Sequence, residues 1–216
     1  MNKQIVLSDI ICYLIFPLVI WHVCRSMLGD YPAMLVSSIP GILYTVYRFI
    51  AVRKMNIFGI FMVTDLVIGT LVDVTAGSGT QMLWNEAVYS IIMGVFFGFT
   101  IFINKPIVLY FCLDFTELQG HNRKKMKPLF YRKEILRIFN LITSLFILRE
   151  LLGGILKMWL VSEYGADAFN KGIIEKQILN WGISALAVFG FIYISKKLNE
   201  QKPPPPALNK EEANKA

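Results

Sequence analysis

The sequence predicts an all-α fold: an integral membrane bundle of about six transmembrane helices with both termini cytoplasmic. Three observations carry that prediction. The chain has 216 residues, 55% of them hydrophobic and only 17% charged, with a mean hydropathy of +0.53. That is too apolar and too weakly charged for an ordinary soluble domain. The apolar residues fall in continuous runs near the ~20 residues that cross about 30 Å of hydrocarbon, not in the alternation of a β-barrel. Finally, Lys and Arg segregate between alternate connections of those runs. The same composition excludes disorder, collagen-like repeats, a coiled coil and a disulfide scaffold.

The first run, residues 5–28, carries Asp9 near its start and Pro17 inside. It is longer than a signal-peptide core and no A-x-A-like site follows it, so it reads as a retained anchor. The second, 32–52, contains Pro40, and the third, 57–75, contains Asp65 and Asp73. The fourth, 83–103, has Glu86 near its start and no charge after it. The fifth, 138–161, carries Arg149 and Glu150 in its middle, and the sixth, 173–195, begins with Glu175 and Lys176. Soluble core helices would each show a charged stripe, which these runs lack. Internal prolines are tolerated in membrane helices where neighbours satisfy the freed carbonyls.

Orientation follows from the cations. With an inside N-terminus, Lys3, three residues of the second connection (Arg48, Arg53, Lys54), eight of the fourth and five of the C-terminal tail lie inside, seventeen in all. Arg25, Lys157, Lys171 and Lys176 make four outside. This asymmetry supports an even number of spans. The net charge of +7 is concentrated in the basic cytoplasmic loop 104–137. Within it, Arg123, Lys124, Lys125 and Lys127 are expected to touch anionic headgroups of membrane lipids. Nucleic acid is not an expected partner, because no recognition fold presents those bases. The apolar stretch 107–115, behind Pro106, is too short to cross; it is an interfacial helix or an extension of the fourth span. Residues 197–216, with Pro203 to Pro206, read as a disordered Pro-rich cytoplasmic tail.

Chemistry is sparse. Cys12, Cys24 and Cys112 show neither zinc nor disulfide spacing, and His22 and His121 fall near opposite faces. The run Ala76-Gly-Ser-Gly-Thr80 lacks the Gly-Lys-Ser/Thr of a phosphate loop and reads as a turn. No catalytic, cofactor-binding or metal-ligating set is predicted. The remaining signal is intramembrane charge, which is costly and often functional. At 1.5 Å per residue, Asp65 lies about 12 Å and Arg149 about 17 Å from the inner face, and the two are expected to pair. Glu150 is expected not to pair with Arg149, since adjacent helical residues point about 100° apart. His22, Asp73 and Glu86 form a candidate outer polar cluster. Gly94 and Gly98 form a small-xxx-small pair for helix packing within the chain or in a dimer.

Two stretches carry a family resemblance: Ile39-Pro-Gly-Ile-Leu-Tyr-Thr-Val-Tyr-Arg-Phe-Ile-Ala-Val-Arg-Lys54, and Gly94-Val-Phe-Phe-Gly-Phe-Thr-Ile-Phe-Ile-Asn-Lys-Pro106 followed by Tyr110. Together they resemble an uncharacterised bacterial multi-span membrane family labelled intracellular septation protein A-like. The resemblance covers roughly residues 5–115. It implies a bacterial cytoplasmic (inner) membrane location, six or so helices and a role in the envelope or division; no functional residue transfers. The expected function is therefore non-enzymatic: envelope organisation or a membrane complex, with a membrane-protein partner or a homodimer. The alternative is a small transporter or channel-like protein for an ion or small solute, using Asp65, Arg149 and Glu150 midway and Asp73 and Glu86 at the outer mouth.

Overall fold

The computed structural model describes residues 8–52 and 56–200. The expectations for Lys3, the first residues of the first run, Arg53, Lys54 and the tail from residue 201 onward lie outside the described residues. Among those described, all regular structure is helical. The helices are α1 (Ser8–Leu28), α2 (Asp30–Val52), α3 (Ile57–Val74), α4 (Gly79–Phe102), α5 (Ile107–Leu118), α6 (Arg123–Phe130), α7 (Lys133–Tyr164) and α8 (Ala168–Glu200).

Local chemistry places each boundary. Gly29, at φ 83°, makes the one-residue turn between α1 and α2, a backbone region that favours glycine. Asn56 caps α3 by accepting from Gly59 N at 2.8 Å. Ser78 caps α4 by accepting from Gln81 N, and the Gln81 side chain reaches back to Gly77 N. The phosphate-loop fragment is thus the turn and cap that open α4. Gly165, at φ 56°, ends α7, and a short 3-10 turn leads into α8. Pro17 sits inside α1 just after a π turn over Ile11–Ile15. Its missing N–H frees the carbonyl of Tyr13 four residues earlier. Gln177 of α8 donates to that carbonyl at 3.4 Å, so a neighbouring helix satisfies it.

The long helices run alternately end to end. Call the end holding residue 8 the near end and the other the far end. Tyr13 of α1 meets Thr45 of α2 by a 2.7 Å hydroxyl contact, whereas Arg25 meets Asp30 at 2.5 Å across the turn. Between α4 and α7, Gly94 lies against Leu151 and Gly98 against Ile147, while Glu86 bonds Lys157. Between α7 and α8, Lys197 pairs with Glu134 near one end and Arg149 with Asn180 midway. The small-xxx-small pair therefore packs within the chain. The closest α4–α7 approach is at Gly154, where a Cβ would stand 2.9 Å from the Ala87 carbonyl oxygen.

Four helical stretches among the described residues are long and apolar enough to cross a membrane: Ser8–Leu28, Ile57–Val74, Gly79–Phe102 and Lys133–Lys197. The last is folded back at Gly165 into α7 and α8. α2 is long but diluted by Ser37, Ser38, Pro40, Gly41 and Thr45. The surface is inverted relative to a soluble protein. Val88, Ile92, Val95, Phe99 and Phe102 recur at helical spacing on the outward face of α4, all exposed, with Phe102 at 82%. In water such a stripe marks an interaction surface; hydrocarbon accepts it without cost.

Two apolar cores sit near the ends. The far-end core gathers Trp21, Met34, Met82, Leu83, Leu160 and Phe169. The near-end core joins α5, α6, α7 and α8 through Leu109, Leu113, Phe130, Phe139 and Ile194. The basic segment 104–137 is thus not an open loop. Asn104, at φ 55°, and Pro106 break the chain after α4, so α5 is a separate helix and not an extension of the fourth span.

Candidate functional site

The far half of the bundle holds a charged layer contributed by four helices. Asp73 comes from the last turn of α3, Glu86 from α4, Lys157 from α7 and Glu175 from α8. Lys157 Nζ donates to Glu86 Oε2. The lysine keeps 11% of its side-chain surface exposed and the glutamate 24%. Asp73 and Glu175 lie within electrostatic range of the same lysine. Glycines make the room: a Cβ at Gly172 would touch the Lys157 stem at 3.8 Å, and one at Gly153 would lie 3.9 Å from Glu175 Oε1. One carboxylate thus bonds the largely covered ammonium and two more lie within its electrostatic reach, three acids to one lysine within the layer. Lys176, exposed on α8, also acts electrostatically on Asp73, Glu86 and Glu175.

Unpartnered atoms concentrate here. Among the described residues, the buried side-chain atoms without a hydrogen-bond partner are Trp21 Nε1, Asp73 Oδ1, Asn170 Oδ1, Glu175 Oε1 and Asn140 Oδ1. All but Asn140 belong to the far half. A buried polar atom left unpaired costs about 1–3 kcal/mol, so their grouping calls for an explanation. Glu175 also lines an open groove between α7 and α8, with Leu156, Trp159, Ile174 and Ile178 as apolar walls and Lys171 at its edge.

The rim above this layer is pinned. Arg25 bonds Asp30 and Asp167 and stacks over Trp21 at 4.5 Å. Tyr31 donates to the carbonyl oxygens of Asp73 and Val74 at 3.1 and 2.8 Å, tying α2 to the end of α3. Below the layer lies a second polar one. Tyr89, one turn from Glu86 on α4, donates to Asp65 Oδ1 at 2.7 Å. Arg149 bonds Glu150 and also donates to Asn180 Oδ1 at 3.1 Å. At 1.5 Å per residue the two layers are separated by about 12 Å along α3. Deeper still, the rings of Phe58, Phe111, Phe61 and Phe97 contact one another in sequence, at centroid separations of 5.1, 5.2 and 6.0 Å. This aromatic cluster spans α3, α4 and α5, with Phe97 buried and Phe58 exposed.

Several expectations are corrected by this geometry. Asp65 and Arg149 do not bond each other: Asp65 is taken by Tyr89, and Arg149 by Glu150 and Asn180. Glu150 and Arg149 do pair, although adjacent on the helix, because the arginine stem is long enough to fold back onto its neighbour. Asp73 and Glu86 come together, but His22 is exposed, and its neighbour Trp21 turns inward instead. Lys157, counted among the outside cations, is buried in the layer. The sequence reading missed it, although its position inside an apolar run, seven residues after Glu150, was a signal that could have set it apart from the surface cations.

The near end holds a different charged pair. Asp114 of α5 is 1% exposed; it accepts from Arg123 of α6 and from Phe58 N at the start of α3, the latter at 2.8 Å. A carboxylate here meets an otherwise orphaned helix N-terminal donor. Arg123 also reaches Glu117 at 3.3 Å. Burial pulls its guanidinium down, and the bonds from the two carboxylates outweigh that, leaving it above its ordinary value. Arg123 is thus turned inward, whereas Lys124, Lys125 and Lys127 are exposed. Burial also pushes the Cys112 thiol up to about 11, and burial with a hydrogen bond to Tyr110 raises Tyr131 to about 12.

Fold and site define a class: among the described residues an all-helical protein, with four helical stretches long and apolar enough to cross a membrane and charge held between the helices. The chain matches no protein-family model, no curated protein and no solved structure.

Proposed function

We propose that the chain is a six-span protein of a bacterial cytoplasmic membrane, with both termini cytoplasmic, and that it is a small proton-linked carrier of a cation and not an enzyme. One observation carries this reading: three carboxylates gather on Lys157 inside the bundle, and Asp73 and Glu175 each keep a buried oxygen without a partner. An excess of acid at membrane depth is expensive, and such groups mark proton or ion pathways. Lys157 supplies an internal counter-charge that keeps the empty layer tolerable. The groove lined by Glu175 offers lateral access. The segregation of cations and the resemblance of residues 39–54 and 94–106 support the orientation and the membrane assigned.

The test is flux. The full chain is reconstituted into liposomes holding a pH-sensitive dye, and sodium, potassium or a tetraalkylammonium ion is added outside. Cation-driven proton movement is expected, reduced at least tenfold in Glu175→Gln. Vesicles no more permeable than protein-free ones for every cation overturn the carrier reading and favour the organising role in a membrane complex. Orientation is tested separately in cells with a membrane-impermeant maleimide, in a background lacking the native cysteines. Gly77→Cys is expected to label from outside and His121→Cys only after permeabilisation.

A further inference from the structure

The near end carries a surface that the carrier reading does not use. From Glu117 to Glu134 no acidic residue intervenes, while Arg123, Lys124, Lys125, Lys127, Arg132 and Lys133 fall between them. The structure divides these cations. Arg123 is withdrawn to the buried Asp114, and Lys124, Lys125 and Lys127 stand exposed on α6. The opposite face of α6 is anchored: Phe130 is 1% exposed, and Met126 and Leu129 pack against the near-end core. The three lysines are therefore displayed from a fixed helix and not from a loose loop. Beside them, Phe115 and Leu118, one turn apart on α5, expose 59% and 40% of their surface.

We propose that α5 and α6 form a docking surface for the headgroups of anionic phospholipids, with Lys124, Lys125 and Lys127 as the contacting cations and Arg123 as the pin that holds them in register. The chemistry favours this occupant. Ammonium groups are compact point charges suited to a phosphodiester of any orientation. The apolar edge of α5 matches the acyl boundary just below such headgroups, as in helices that lie in the interface plane. The pin gives the contact a consequence, since Asp114 also holds the first turn of α3 through Phe58 N. Lipid bound to α6 thus braces the helix that carries Asp65 and Asp73. The proposal rests on the membrane reading above and is independent of cation transport.

The full chain in neutral detergent is titrated with dioctanoyl phosphatidylglycerol and, separately, dioctanoyl phosphatidylcholine. The anionic lipid is expected to bind at least tenfold more tightly, with the preference lost in high salt. Lys124→Gln, Lys125→Gln and Lys127→Gln together are expected to abolish it, each lysine accounting for up to about fivefold. Should the triple variant not fold, the single variants Lys124→Gln and Lys127→Gln are each expected to weaken the anionic lipid two- to fivefold. Arg123→Gln is expected to lower thermal stability and, with the lysines no longer held in register, to weaken the anionic lipid about twofold. Equal affinity for the two lipids, or a preference that survives the triple variant, overturns the proposal. So does a single-stranded 20-mer oligonucleotide that binds more tightly than the anionic lipid and displaces it, which would make the surface a nucleic-acid site.

Discussion

Replacing Lys157 by methionine would leave three carboxylates facing one another without their cation. Glu86 loses its hydrogen-bond donor, and Asp73 and Glu175 lose one of the two lysines that act on them, Lys176 remaining. Removing one partner of a buried ion pair costs about 3–5 kcal/mol, because the other charge stays buried. Glu86 keeps 24% of its side chain exposed, which points to the lower end, about 3 kcal/mol. The reverse change is milder. In Glu86→Gln the lysine still has Asp73 and Glu175, and the amide oxygen still accepts, so the cost is about 1 kcal/mol. The double variant leaves one fewer stranded carboxylate and should be more stable than Lys157→Met alone. Thermal unfolding of the full chain in detergent reads this directly. At roughly 2–4 °C per kcal/mol, the Lys157 variant falls about 6–12 °C and the Glu86 variant about 2–4 °C. If Glu86→Gln proves the costlier change, or the double variant loses the full sum of the singles, Lys157 is not the shared counter-ion and the argument for the layer fails.

Three further outcomes follow from the packing. Gly154→Ala must push against the Ala87 carbonyl and is expected to cost about 1–3 kcal/mol, whereas Gly182→Ala, with nothing within 4 Å, should be neutral or stabilising by up to about 1 kcal/mol; comparing the two melting temperatures checks the α4–α7 contact. Asp114→Asn leaves Arg123 without its buried counter-charge while preserving an acceptor for Phe58 N. It should cost about 1–3 kcal/mol and speed amide exchange in the first turn of α3; unchanged exchange there would disconnect α5 from α3. Cys112, its thiol pushed up to about 11 by burial, should react with a small maleimide at pH 8 roughly a hundredfold more slowly than an ordinary thiol, in a chain where Cys12 and Cys24 are replaced by serine. Its rate should climb tenfold per pH unit up to about pH 11, and a plateau near pH 9 would contradict the burial.

Much of the architecture was legible because helices long and apolar enough to cross a membrane announce themselves through length and apolarity. The runs beginning at Ile57 and ending near Phe102 coincide with α3 and α4 to within a few residues. The runs for α7 and α8 were drawn short, because hydropathy ends where hydrocarbon would, while the helices continue through Lys133 to Arg137 and past Ser195. Hydropathy also has no vocabulary for α6: a basic segment reads as a loop. Its helix depends on Asn122 capping Lys124 N and on Phe130 finding a pocket among α5, α7 and α8. A window average sees neither the cap nor the pocket.

The polar partners were harder to read than the spans, and the reason is geometric. Depth along an axis fixes which residues share a level, but not which face of each helix meets which neighbour. Asp65 and Arg149 were placed at similar depths, yet Tyr89 stands nearer to Asp65, and Asn180 faces Arg149 from α8. Neutral donors and acceptors compete for buried charges as effectively as opposite charges do, because a buried carboxylate needs hydrogen bonds as well as a counter-ion. Lys157 escaped notice for a related reason. Counting cations by side assigns every lysine to a surface, and this one belongs to neither. A topology count is therefore least reliable at the residues that matter most for function, those whose charge is kept inside. Where a cation tally leaves a lysine within an apolar run, the economical inference is a buried carboxylate on a neighbouring helix, and here Glu86 fills that role.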